Sequence, residues 1–367
     1  MSEAKTAASD MAMKGGGYYS LATIGAKDVI DSAMPLALDA IGQMDLWVER
    51  PFVLADMGCA DGGTSLDLVA QAVNTLGRAN PQRPIAVYYT DQLRNDYNAL
   101  FNIVENQDGL ASRTERQSDL HLFASATSFY DQILPAGTLD LGFSATAMHW
   151  LSHKPCDISD HVQAVGASGA ELAAFAAQGN ADWQTILLHR ARELAPGGRL
   201  VIANFCRDES GRYLGHTEGV DMFDTFNRIW RECLADGRIE QAEYLAMTLP
   251  QYYKAVEEFA APLQDEENPV HQAGLRLEHM ETRVTPCPYA ADFRRHGDAA
   301  RFAKAYVPTL RSWTESTFHA GLAQSRPAEE RQRLIDSYYA RYEDLVREAP
   351  DGHAMDYVHA FMTIAKL

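Results

Sequence analysis

Residues 53–65 read VLADMGCADGGTS. An apolar run closes on an acid, glycines follow at 58, 62 and 63, and Thr64 and Ser65 lead into a segment with Leu66, Val69, Ala70 and Val73 at helical spacing. This is a strand, a tight turn and a helix, the unit from which parallel α/β sheets are built. Glycine accepts positive φ and lets backbone approach a ligand closely, so the turn is laid out to cradle a cofactor, with Asp56 and Gly58 at the strand's carboxyl end. The spacing is G-x-x-x-G-G, not the G-x-G-x-x-G of dinucleotide folds, and a Walker loop would need a lysine after its last glycine. Phosphate binding is therefore disfavoured.

Working outward, four more apolar runs, at 85–89 (IAVYY), 120–124 (LHLFA), 139–143 (LDLGF) and 199–205 (RLVIANF), read as strands beside 52–56 (FVLAD). Their near-continuous apolar character predicts a parallel sheet covered on both faces, hence a doubly wound, Rossmann-like α/β fold. The periodicity predicts helices over 64–76, stopped at Gly77, over 172–177 and over 183–194, the last ended by Pro196, Gly197 and Gly198. Residues 207–272 carry Asp, Glu, Tyr and Met at helical spacing and no strand run, which reads as a helical insertion. Helices over 298–322 and 328–347, with strands over 275–284 and 357–366, complete the chain, the two strands closing the sheet as a hairpin-like edge. The expected division is a gate over the active site at 1–30, a core of 31–206 with 274–367, and a helical cap and substrate lid at 207–273.

A chain of 367 residues exceeds the roughly 250–300 at which single cores stop growing, which also favours a core with a cap. Lys and Arg number 32 against 50 Asp and Glu, so the net charge is 32 − 50 = −18. That field repels phosphate backbones and anionic lipid, arguing against nucleic-acid or membrane partners. The five cysteines are widely spaced with no C-x-x-C pair, which suits a reducing cytoplasm. Residues 1–12, MSEAKTAASDMA, lack the apolar core of a signal peptide, and no run is long enough to span a membrane, so a soluble, unprocessed protein is expected.

Asp91 closes the second strand in TDQLRNDYN. A carboxylate one strand after the glycine turn is placed to accept hydrogen bonds from both hydroxyls of a ribose. Ribose without a phosphate signature points to S-adenosylmethionine, whose sulfonium brings its own leaving group and demands no nucleophilic triad. None is visible: no G-x-S-x-G occurs and the twelve histidines are scattered. In the insertion, Met222, Phe223, Phe226, Trp230, Tyr244 and Met247 recur at roughly helical intervals and suit either the lining of an apolar pocket or core packing.

Several ordered motifs resemble the SABATH methyltransferases: Met13-Lys14-Gly15-Gly16-Gly17 followed by Ser20, the loop ADMGCADGGTS, TDQLRNDYN, Ser128-Phe129 before Tyr130, SATAMHWLS at 144–152, LAPGGRLVIANF at 194–205 and YYARYEDLV at 338–346. Members methylate small carboxylic acids such as salicylate, jasmonate and indole acetate, or, in one branch, xanthine nitrogens. The resemblance implies a Rossmann-like methyltransferase sheet with a helical cap subdomain, S-adenosyl-L-methionine as cofactor with S-adenosyl-L-homocysteine as product, and a homodimer. It places Cys59 and Thr64 beside the methionine part of the cofactor, Asp91 and Gln92 at ribose and adenine, and Tyr19, Ser20, Asp56 and Gly58 among the other cofactor contacts. Ser128 and Phe129 then form the adenine-side wall, and Ser144 and Ala145 the strand end that passes from cofactor to substrate. Thr146, His149 and Trp150 follow on the substrate side; an indole N–H donates without accepting, so Trp150 would hold one carboxylate oxygen, with His149 as a second donor or a tuner of pocket charge.

The chain departs from the family's pattern in places. The glycine motif near the N-terminus is compressed, and Ser-Tyr becomes Ser20-Leu21, leaving Tyr18 or Tyr19 as the aromatic. Carboxylate-specific members carry a glutamine where ungapped counting puts Asp28; Lys27 or Lys14 would attract an acid where Asp28 would repel it. Phe226 and Trp230 are the insertion residues carried as substrate contacts. The family's metal-binding Asp and Phe-Asn pair are missing from AEYLAMTLP at 242–250, so no metal is expected. The expected activity is methyl-ester formation on a small-molecule carboxylic acid. A phenol or nitrogen acceptor, for which His149 would have to serve as base, and a catalytically silent binding protein stay as alternatives.

Overall fold

The computed structural model describes residues 24–115, 119–217 and 219–367; the expectations placed on Lys14, Tyr19 and Ser20 lie outside them. Helix α1 (Ile24–Gly42) precedes β1 (Phe52–Met57), and α2 (Leu66–Ala79) leads to β2 (Ile85–Thr90). Then come α3 (Tyr97–Val104), α4 (Leu110–Arg113), β3 (Leu120–Ser125) and β4 (Leu139–Ala145). A long α5 (Gly169–Glu193) returns the chain to β5 (Leu194–Arg207). These five strands are parallel and lie in the order 3-2-1-4-5. After β3 the chain crosses back to the other side of β1, and the crevice between β1 and β4 is the topological switch point where such sheets bind ligands.

The strands are apolar on both sides because both faces are covered. Val29, Ala33, Val69 and Val73 of α1 and α2 share one core with Leu54, Leu141 and Val201. On the far face, Trp183, Ile186 and Leu187 of α5 join Met57, Leu200 and Ile202. Each Val, Leu, Ile or Met among them contributes about 1.5–3 kcal/mol on burial, and β3, the edge strand, alone reads as half exposed among the five.

Three local expectations change. Helix α2 runs through Gly77, which is buried within it, to Ala79. The two helices expected before Pro196 are one, because Gly179 continues the helix where it passes Tyr252: a Cβ there would lie 2.6 Å from that ring. The Pro-Gly-Gly turn is a bulge inside β5, since Leu139 pairs with Leu194 and Leu141 already with Arg199.

The insertion holds α6 (Met222–Ala235), α7 (Gln241–Ala246), a two-residue β6 (Lys254–Ala255) beside the end of β5, α8 (Val256–Gln264) and α9 (Pro269–Gln272). Asp221 caps α6, accepting from the backbone N–H of Phe223 and Asp224. Strand β7 (Leu275–Thr285) forms the sheet edge, followed by α10 (Pro288–His296), α11 (Ala299–Gly321) and α12 (Ala328–Glu348). The last strand, β8 (Tyr357–Lys366), slots antiparallel between β5 and β7, so the late strands do pair but the terminal one is interior. Helices α11 and α12 lie on α6 through an aromatic layer, in which Trp230 stacks on Tyr338 at 4.3 Å and Phe226 meets Phe318 at 5.8 Å. Arg326 ties this layer to α7 by gripping Glu243, whose carboxyl it holds down at about 2.

Candidate active site

Three strand ends meet at the switch point. Gly58 and Cys59 donate backbone N–H to Thr90 O at 2.8 and 3.2 Å, hanging the glycine turn from β2. Asp91 closes the turn from the other side, accepting from Ala60 N–H at 2.8 Å and Gln92 N–H at 2.7 Å, one on each carboxylate oxygen. Asn95 donates to Ala60 O at 2.7 Å, and the Tyr97 hydroxyl to Asp91 O at 2.8 Å. So held, Ala60 sits at φ +49°, a conformation that costs a residue with a side chain about 1–2 kcal/mol and persists only under such constraint. Gly58 has φ +81°, and a Cβ there would lie 2.5 Å from Ala147 Cβ, so the turns after β1 and β4 touch at a position that only glycine fits.

Asp56 lies beneath the turn rather than at its rim. It is 3% exposed and accepts from Ser65 Oγ at 2.6 Å. Burial pushes its carboxyl up to about 7; the Ser65 bond works against this and the charge of Asp91 adds to it. Burial likewise raises Asp91 and the Cys59 thiol. Cys59 and Thr64 are both buried, so they can meet a ligand through backbone more than side chain. Gln92, Ser128 and Phe129 are partly exposed around the crevice, with Phe129 Cε1 4.0 Å from where a Gly58 Cβ would stand. Ser144 spends its hydroxyl on Met57 O at 2.8 Å, stitching β4 to β1, and Ala145 is buried beside it. The crevice thus fits a phosphate-free, cationic nucleoside: Asp91 keeps lone pairs free on both oxygens, two close carboxyls favour positive charge, and residues 56–65 hold no Lys or Arg.

Beyond Ala145 the chain turns at Thr146, φ +55°, with its N–H on Ala203 O at 2.9 Å. Residues 149–151 then run antiparallel to 250–252: Leu151 donates to Pro250 O at 2.8 Å and Tyr252 to His149 O at 3.1 Å, making Trp150 and Gln251 direct cross-strand partners. Here opens a pocket lined by Thr146, His149, Trp150, Phe205, Leu214, Gln251, Tyr253, Trp313, Met355 and Tyr357. Its wall is largely aromatic and, among the described residues, carries no Asp, Glu, Lys or Arg. The His149 ring meets Phe205 edge-on at 4.7 Å, and burial pulls its pKa down to about 3, so the imidazole is neutral at physiological pH. The site can desolvate a small apolar molecule and offer an oxygen neutral donors, beside a crevice shaped for a nucleoside.

Residues 9–367 match the family model described as SAM dependent carboxyl methyltransferase. The chain belongs to this family. Among relatives, gibberellic acid methyltransferase 2 of Arabidopsis thaliana is 26% identical over 63% of this chain and 64% of its own, just under two thirds of that protein. Indole-3-acetate O-methyltransferase 1 of Oryza sativa subsp. japonica is 23% identical over 78% of this chain and 75% of its own. The fold matches that of a loganic acid methyltransferase solved with SAH, at a TM-score of 0.74 and 20% identity over 96% of this chain and 98% of that one.

In this member of the family the structure brings Thr146, His149 and Trp150 into one pocket and leaves other expected contacts outside it. Lys27 is paired with Asp31 at 2.7 Å and Asp67 at 2.9 Å across α1 and α2 and does not line the pocket; nor does Asp28. Phe226 and Trp230 are fully buried and do not line the pocket, Phe226 against Trp313 and Trp230 against Phe318 and Tyr338, because the apolar stripe of α6 faces α11 and α12. Trp313 is what that layer presents to the pocket instead. Missed by sequence reasoning were Phe205 and Tyr357, which strand alternation would have put on one sheet face, stacked at 5.7 Å. Gln251 and Tyr253 sit in a loop with no periodic signal. Among the described residues no group of three His, Cys, Asp or Glu could hold a metal ion.

Proposed function

We propose that the protein esterifies the carboxylate of a small, largely apolar acid with S-adenosylmethionine as methyl donor. When bound, the cofactor supplies an electrophilic methyl group on sulfur that needs no acid catalyst to leave. The observation that carries the reading is the neutrality of the pocket's described lining, which has donors for an anionic oxygen and, among the described residues, no charged side chain. A carboxylate is already ionised at pH 7, whereas a phenol, near pKa 10, would need a base. His149, pulled down to about 3, is a poor one.

In this reading Trp150 donates its indole N–H to the substrate, and neutral His149 packs on Phe205 and shapes the pocket floor. Asp91 and Gln92 hold the ribose and adenine, Phe129 and Ser128 wall the adenine, and the 58–64 backbone with Ser144 and Ala145 flanks the sulfur-bearing arm. Thr146, between crevice and pocket, lies where the two ligands meet. The acids in the relatives' names support the substrate class. The same reading assigns the chain ahead of α1 as gate, shorter than the expected 1–30 because α1 packs Val29 into the core, with the rest to 206 and 274–367 as core and 207–273 as lid, in a cytoplasmic homodimer; five unpaired cysteines support the reducing compartment.

The test is a screen of mono- and dicarboxylic acids with labelled methyl donor, matched against phenols and amines, in wild type and Trp150→Phe. Ester formation is expected, falling about 10–100-fold in kcat/KM in the variant, as for one hydrogen bond to a charged group. Label appearing only on phenols or amines would overturn the substrate class, and an unimpaired variant would remove Trp150 from its role.

A further inference from the structure

We propose that Gln251 is the second donor to the substrate carboxylate, forming with Trp150 a neutral two-point clamp; this rests on the carboxyl-methylation reading above. Gln251 is 0% exposed yet lines the pocket. Its Oε1 accepts from the Tyr253 hydroxyl at 3.1 Å, which fixes the carboxamide, and among the described residues its Nε2 has no partner. A buried amide N–H₂ left without an acceptor costs stability, so its persistence in a cavity wall is best explained by an acceptor that arrives with the ligand.

Register places this donor where the clamp needs it. Gln251 bridges Trp150 directly across an antiparallel pair, and side chains opposite one another share a face, with Cβ atoms about 4.5–5.5 Å apart. Both residues line the same wall. A carboxylate offers one oxygen to the indole N–H and the other to the amide N–H₂, and each oxygen keeps a lone pair, so the attacking oxygen stays nucleophilic while held. No charged side chain is required, consistent with Lys27 being engaged elsewhere by Asp31 and Asp67.

The test compares wild type with Gln251→Met, close in shape but lacking both donors, and Gln251→Glu, close in shape with an acceptor instead. Steady-state kinetics use an acid accepted in the screen, and calorimetry measures S-adenosylhomocysteine. Gln251→Met is expected to lose about 10–100-fold in kcat/KM, mostly through KM for the acid, with cofactor-product affinity within about twofold. Gln251→Glu should lose more, through like-charge repulsion. If Gln251→Met fails to fold, seen as lost calorimetric binding, the folded Gln251→Glu decides by the same criterion. Unchanged KM for the acid in a folded variant overturns the clamp while wild-type ester formation leaves the carboxyl reading standing. Wild type that methylates only phenols or amines overturns both, and by a different observation.

Discussion

In the crevice, Asp91, Asn95, Tyr97 and Ser65 all hydrogen-bond the protein and fix the turn between Gly58 and Thr64, Asp91 with one bond on each oxygen and acceptor capacity to spare. In the pocket, one strand end away, His149 Nδ1 and Gln251 Nε2 have no partner among the described residues. In the proposed reading the crevice would hold the cofactor by a shape made in advance, with negative charge from Asp56 and Asp91. The pocket's described wall is uncharged and keeps donors in reserve, so in the proposed reading much of its hydrogen bonding would wait for the acid. Cofactor affinity and acid recognition should therefore come apart under mutation, except where the two regions touch.

The largest expected effect lies in the crevice. Asp91→Asn sets an N–H₂ against the Ala60 or Gln92 N–H and halves the acceptor capacity toward a ribose. Two hydrogen bonds to a charged group, at about 1.5–3 kcal/mol each, predict at least a ~100-fold drop in S-adenosylhomocysteine affinity by calorimetry. The acid KM at saturating cofactor should move by less than about twofold. Equal losses in both constants would break the comparison. Gly58→Ala probes the junction: positive φ costs about 1–2 kcal/mol, and the new Cβ meets Ala147 at 2.5 Å. Here cofactor affinity and acid kcat/KM should both fall, by about tenfold. Adding Ala147→Gly should restore the part due to the clash and leave the part due to backbone strain.

The crevice was largely legible because its parts are local or one strand apart. The glycine turn, Asp91 and the strand ends each carry a signal in their own segment, and the parallel strands read as apolar runs because both their faces are covered. What a segment cannot say is which way a side chain turns. Asp56 was placed at the strand end correctly, but its burial under Ser65 depends on how the turn folds back. The α6 stripe announced apolar contacts without naming α11 and α12 as the partners, so Phe226 and Trp230 passed for pocket wall. Lys27 was free in sequence and is claimed in space by Asp67, forty residues on. The pocket gathers single residues from Thr146 to Tyr357, and Gln251 owes its place to one isolated bridge with Trp150. No local pattern encodes that.

The smallest predicted effect is a flat pH profile, and it sharpens the comparison most. His149 stands at about 3 in the fold, so between pH 6 and 8 it does not titrate, and a carboxylic acid near pKa 4 is ionised throughout. Turnover at saturating cofactor should stay within about twofold across that range. Asp56, held up at about 7 by burial, does ionise in the same window. Its added negative charge under the turn favours a cation, so KM for the cofactor should decline as pH rises, and Asp56→Asn should abolish the trend. Stability carries the opposite signs. His149 resists protonation in the fold, so its contribution is present above pH 6.5 and lost as pH falls from there toward 3. Asp56 resists deprotonation, so its contribution is present below pH 3.8 and lost as pH rises through about 7. Thermal melts of His149→Asn and Asp56→Asn from pH 4 to 8 should diverge from wild type at opposite ends. A turnover profile with an inflection between 6 and 7 that vanishes in His149→Asn would instead put a working base in the pocket, and the neutral clamp on a carboxylate would give way to proton abstraction from a phenol or nitrogen.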